Sequence, residues 1–278
     1  MKKSIQFCLS LLLLSVFNVS VFAQKTTTYA QSTTQLQLEK NNIQVENLSF
    51  TDALGPENQL QHTASFDFFL SDDAATQNIL RILQVYTKEQ ASRQLNFVTL
   101  NYAGDPLQER FYDNAVVEEI LFNALDATSK APFKATVKIR AGSVKIQKGG
   151  TRPDLAPRNK RRALTANFSI TLGNLPTTRV AKISGLGIKP GDGSYINLTI
   201  EVMAIDGAAW NQWFLTGAAG LRKEKGNIHL LAPDLKGVLY SFSLYDVEIV
   251  SYTGGSSGNQ QTISRATIGL RLKGLAVK

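Results

Sequence analysis

Thiol and imidazole are nearly absent from this sequence: one cysteine, Cys8, and two histidines, His62 and His229, stand among 278 residues. Beyond Cys8 no disulfide is available, so the chain must hold itself together by core packing and strand pairing. A site built on histidine or thiolate needs several converging ligands, and none are at hand, so we expect no metal and no cofactor. His229 falls in the alternating run Ile228-His-Leu-Leu231 and reads as a partly exposed strand residue. His62 reads as lying at the edge of a polar turn.

Nucleophilic chemistry fares no better. The stretch Gly254-Gly-Ser-Ser-Gly258 has the spelling of a nucleophile elbow centred on Ser256. That motif needs a helix after the serine and a histidine to serve it. Here a strand from Ile263 follows and no histidine lies beyond, so the glycines read as a hairpin connection. Of the paired carboxylates, Asp72-Asp73 reads as a helix cap, and Glu118-Glu119 as strand neighbours facing opposite sides. Gly185, Gly187, Gly191 and Gly193 lack the spacing and the lysine of a phosphate-binding loop. No catalytic residue is assigned, and we expect a protein that is not an enzyme.

Long apolar runs are also missing. The one candidate, Leu11 to Val19 within Met1–Ala23, is about half the ~20 residues that cross a bilayer. Lys2 and Lys3 precede it, and Val21-Phe22-Ala23 closes it on a small residue, the layout of a secretory signal cut between Ala23 and Gln24. A retained anchor and a lipid-modified Cys8 are the other readings. Cleavage leaves 278 less 23, or 255 residues, enough for one large or two ordinary domains. The formal charge falls from +8 to +6 with Lys2 and Lys3 removed. Much of the excess gathers in Lys148, Arg152, Arg158, Lys160, Arg161 and Arg162, among Gly149, Gly150, Pro153 and Pro157. Without interleaved aromatics or a helix, this run reads as a solvated linker and not as a nucleic-acid surface.

What is present is repetition. Lys134-Ala-Thr-Val-Lys-Ile-Arg140 lines up with Arg265-Ala-Thr-Ile-Gly-Leu-Arg271, and Val117–Ile120 with Asp246–Ile249. Ala103–Leu107 matches Ala232–Lys236, and Phe66–Asp73 matches Leu198–Asp206. The chain therefore reads as one domain copied once. Each copy begins with strands such as Ile43–Phe50 or Leu164–Leu172, then an alternating strand, Ala64–Leu70 or Tyr195–Met203. A short helix follows. In the first copy Asp72 or Asp73 caps a segment whose Ile79, Leu80, Ile82, Leu83 and Tyr86 share one face; in the second, Trp210, Trp213 and Phe214 do so as packing residues. Strands resume at Leu95–Tyr102 and Ile228–Leu231. The expectation is a mainly β protein of two tandem small β-barrels, each with one short α-helix. The divisions are 1–23 signal, 24–37 N-terminal extension, 38–147 first barrel, 148–162 basic Gly/Pro linker, and 163–278 second barrel.

The segment Tyr240-Ser-Phe-Ser-Leu-Tyr-Asp-Val-Glu-Ile-Val-Ser-Tyr-Thr-Gly-Gly-Ser-Ser257, followed by Ile263-Ser-Arg-Ala-Thr-Ile-Gly-Leu270, resembles the C-terminal half of the Hcp family, the tube proteins of type VI secretion. The helix carrying Trp210 and Trp213 precedes it, as in that family, and the likeness extends more faintly from Phe66 to Ile146. The resemblance implies a tail-tube-like barrel and subunits that close into six-membered rings. With two barrels per chain it implies a homo-oligomer, a trimer forming a pseudo-hexameric ring, with secretion-system components as further partners. An ordinary tube subunit carries neither an export signal nor a duplication. The reading is thus an exported structural relative bound for the periplasm or beyond, with no nucleic-acid partner and no membrane contact after signal cleavage. A secreted tandem-barrel binding module for a glycan or surface receptor, with loop aromatics such as Tyr195 and Tyr252, or a secreted effector without catalysis, is the other reading. A hydrolase with an unrecognised site is a third.

Overall fold

The computed structural model describes residues 32–54, 60–153, 161–190, 195–217, 223–254 and 264–278. Ala23, Gln24, Arg158, Lys160, Gly191, Gly193 and Ser256 lie outside them. The described residues pack as one compact unit.

The first half runs β1 (Thr33–Leu38), β2 (Asn41–Leu54), β3 (Leu60–Phe69), α1 (Ala74–Glu89), β4 (Arg93–Leu100), β5 (Pro106–Phe122), β6 (Leu125–Asp126), β7 (Lys134–Ala141) and β8 (Ser143–Lys148). The second runs β9 (Phe168–Leu172), β10 (Val180–Ser184), β11 (Gly187–Ile188), β12 (Ile196–Met203), α2 (Gly207–Gly217), β13 (Glu224–Leu231), β14 (Val238–Thr253), β15 (Arg265–Leu272) and β16 (Gly274–Val277). A 3-10 turn, Ala204–Asp206, leads into α2.

All strand pairings among the described residues are antiparallel. In the first half they close a circle, β5-β4-β1-β2-β3-β7 and back to β5, while β8 continues β7 along the other half of β5. In the second half β9, β13, β14, β15, β12 and β10 take the same order as β1, β4, β5, β7, β3 and β2, and β16 lies on β14 as β8 lies on β5. One pairing differs. β1 pairs with β2, but among the described residues no pairing joins β9 to β10, so this second barrel is open there. The two segments matched most clearly in sequence, 134–140 and 265–271, are β7 and β15.

Alternation explains the strands. β7 buries Ala135, Val137, Ile139 and Ala141, and β15 buries Ala266, Ile268, Leu270 and Leu272, each sending the intervening residues outward. In α1 the Asp73 carboxylate accepts from the Thr76 N–H at 3.1 Å and so caps the first turn. Ile79, Leu80 and Leu83 are fully buried, each contributing about 1.5–3 kcal/mol by leaving water, with Ile82 and Tyr86 packed partly beside them.

Several sequence expectations are corrected. Glu118 and Glu119 do not face opposite sides: a bulge between Val117 and Glu119 inserts an extra residue, and both carboxylates emerge on the outer face. There Glu118 meets Arg140 at 2.9 Å and Glu119 meets Lys138 at 2.5 Å. His62 is not at a turn; it lies within β3, its Nδ1 2.7 Å from Asp52 of β2. Tyr102 falls past the end of β4 and is exposed. β9 starts only at Phe168, because the backbone of the preceding residues is drawn elsewhere: Thr165 N–H donates to Ala131 O at 2.9 Å.

Candidate assembly surfaces

Among the described residues, those singled out for chemistry do not come together. His229 donates or accepts at Ser241 Oγ, 2.8 Å away in the neighbouring strand, while His62 sits in the other half. Among the described residues no group of three His, Cys, Asp or Glu side chains is placed to hold a metal ion. Nor is any described helix long and apolar enough to cross a membrane. Gly185 and Gly187 belong to a tight connection: Gly185 has φ of 86°, and a Cβ there would lie 2.2 Å from the Asn197 carbonyl oxygen. Tyr195 lies under the Arg271 guanidinium, 4.8 Å from its centre, and Tyr252 packs against the core.

Trp210 and Trp213 are buried and meet edge to face at 6.1 Å, with Phe214 packed partly against the same core. The Trp210 indole donates to Pro176 O at 3.2 Å. Just before them, the buried Asp206 carboxylate pairs with Arg179, whose Nε lies 2.8 Å from Oδ2. This guanidinium holds the Asp206 pKa below the usual carboxylate range. One side of Trp213 borders a cleft of about 390 Å³ between α2, Asn174, Leu175 and Glu224.

The two barrels meet through a junction built from both halves of the chain. Each lends the other a two-residue strand: β6 pairs with β10, and β11 pairs with β5. Gly185 lets the chain turn into this exchange, and Leu186 O then accepts from Phe122 N–H at 2.9 Å. Beside it Phe122 stacks on Phe133 at 5.8 Å, and Phe242 of β14 meets both rings edge-on. The Tyr240 hydroxyl donates to Ser71 O at 2.7 Å, in surroundings whose burial pushes its pKa far up. On α1, Gln84 Oε1 accepts from the Val277 N–H of β16 at 2.9 Å.

The basic run contributes to the same region. Arg161 N–H donates to Asp72 Oδ1 at 3.2 Å, and the Arg162 guanidinium lies 4.0 Å above the Phe69 ring. Ala163 then threads between Leu70 and Phe133, donating to Leu70 O at 2.8 Å and accepting from Phe133 N–H at 2.7 Å.

The first barrel thus presents α1 and the end of β3, while the second presents β14 and β16. Two sheets of the same strand order touch through different parts of themselves. Sequence reading missed this junction, because its aromatic members lie far apart in the chain and each reads alone as ordinary core.

No family model matches the sequence, and no curated protein matches it. Several solved structures match part of the chain, two of them as follows. One is the structure of Hcp1 from Flavobacterium johnsoniae, at 13% identity and a TM-score of 0.31, covering 42% of this chain and 96% of that one. The other is a cryo-EM structure of the anti-feeding prophage baseplate, 6-fold symmetrised, also at 13% identity and a TM-score of 0.31, covering 42% of this chain and 93% of that one.

Proposed function

We propose that this chain is an exported structural protein, related to the type VI secretion tube subunits, which arose by duplication of one barrel and assembles through barrel surfaces into rings. The observation that carries this reading is the unlike contact between two like barrels. When equivalent bodies meet through non-equivalent surfaces, each end of the pair keeps one complementary surface uncovered, and further copies add until a ring closes or a filament grows. Three chains then supply the six barrels of a ring. The leader Met1–Ala23 directs export, which takes the assembly to the periplasm or outside the cell.

Light scattering after size exclusion, on the exported protein over a range of concentrations, tests the assembly. A trimer or larger closed species is the expected result. A monomer at every concentration overturns it.

The cleft beside Trp213 favours a second reading, a secreted binding module acting through its loops and gaining avidity from two barrels. A glycan array probed with the same protein tests it, and binding abolished by filling the cleft with Ala209→Trp is the result it requires.

A further inference from the structure

The contact inside the chain has an open counterpart at each end, and one register relates them. On β14, Phe242 faces Val277 of β16 on one side and Ile228 of β13 on the other. On β5, Arg110 faces Ile146 of β8 on one side and Phe97 of β4 on the other. Ile146 is therefore to the first barrel what Val277 is to the second. Val277 is buried, its N–H bonded to Gln84 of α1; Ile146 is 54% exposed.

The same holds at the other end. Phe69 faces Lys134 where β3 ends, and Met203 faces Arg265 where β12 ends. Two residues further on stand Ser71 and Ile205. Ser71 is buried beneath Tyr240, whereas Ile205 is 74% exposed. Leu215, further along α2, is exposed as well. Both uncovered positions thus carry an aliphatic side chain where the covered equivalents lie inside a junction.

We propose that these are the two halves of one interface between chains, in which the surface around Ile205 on one copy docks on the β5–β8 surface around Ile146 of the next. The inference rests on the assembly reading above and specifies its contact. The occupant is a second copy of this chain, because the contact continues the junction already made within each molecule. In the register that places Ile146 at Val277, Gln108 stands at Tyr240: Gln108 faces Thr99 of β4, and Tyr240 faces Leu230 of β13. Gln108 is then the residue of the next copy that comes nearest Ile205. The two junctions differ in strength. Phe122 faces Ala135, while the position facing Ala266 falls at Gly254, so the outer junction lacks the Phe122 ring. Assembly between chains is therefore weaker than the contact within one, and depends on concentration.

The test uses the full chain with Cys8→Ser, adding Ile205→Cys and Gln108→Cys and treating with a short bis-maleimide. Intermolecular crosslinking to dimers and trimers is expected, with either single cysteine giving dimers at most. Separately, Ile205→Asp and Ile146→Asp each weaken association at least about tenfold by sedimentation. Leu54→Asp, a comparably exposed change at the end of β2 and outside the residues assigned to this contact, leaves association unchanged, and circular dichroism verifies that each variant is folded. An assembled parent with no crosslinks and no response to either aspartate overturns this interface while leaving the assembly reading intact. A parent that stays monomeric overturns both.

Discussion

The Tyr240 hydroxyl and the Ser71 carbonyl, 169 residues apart in the chain, meet at 2.7 Å with both residues buried. A buried carbonyl oxygen without a donor is costly, so this bond fastens the second barrel to the end of β3. Tyr240→Phe keeps the ring and removes the donor. It should cost about 1 kcal/mol in urea unfolding, whereas Tyr245→Phe, an exposed tyrosine on the same strand, should change stability little.

Gly185 tests the exchange between the barrels. Its φ of 86° suits glycine, and a methyl group there would meet the backbone of Asn197. Gly185→Ala should therefore destabilise by about 1–3 kcal/mol. Amide exchange should rise at Gly187 and Ile188, which pair with Leu121 and Ile120 of β5.

Trp210 is fully buried, and Trp210→Ala should lose about 3–5 kcal/mol through the void it leaves. Leu215→Ala, on the exposed side of α2, should leave the thermal midpoint within about 1 °C.

Asp67 supplies a pH dependence. Burial pushes its carboxyl pKa up, but hydrogen bonds from Lys134 at 2.5 Å, Thr136 at 2.6 Å and Asn47 at 2.8 Å prevail and hold it below the ordinary aspartate range. A lowered folded-state pKa means a contribution fully present above the unfolded value and lost as pH falls through the folded one. Stability should thus fall with acid. Asp67→Asn should lower stability at neutral pH by about 1–3 kcal/mol and flatten the acid decline, as read from urea midpoints across the acid range.

Elements with a strong period were legible in the sequence. β7 and β15 alternate cleanly, and α1 announces itself by Asp73 and the spacing of Ile79, Leu80 and Leu83. Trp210, Trp213 and Phe214 were also visible at helical spacing. The bulge at Glu118 was not, since it comes from a mismatch between two strands, and neither carries a local mark of it. β6 and β11 were invisible for a different reason: two residues are too few to show any period. The described basic side chains, Lys148, Arg152, Arg161 and Arg162, are exposed as their charge suggests, but the backbone just behind them, which fills a ladder between Leu70 and Phe133, carries no mark in the sequence.

The bond from Val277 to Gln84 spans 193 residues. During synthesis α1 emerges long before β16, so the first barrel must wait with a buried acceptor unfilled and a helix side uncovered. Leu121 and Ile120 likewise wait for Gly187 and Ile188 to arrive. The two halves are thus mutual templates, and the first is completed only when nearly all of the second has been made. A chain held unfolded until its last strand is available, as a chain threaded across a membrane would be, escapes the period in which that half-built surface stands open to the wrong neighbour.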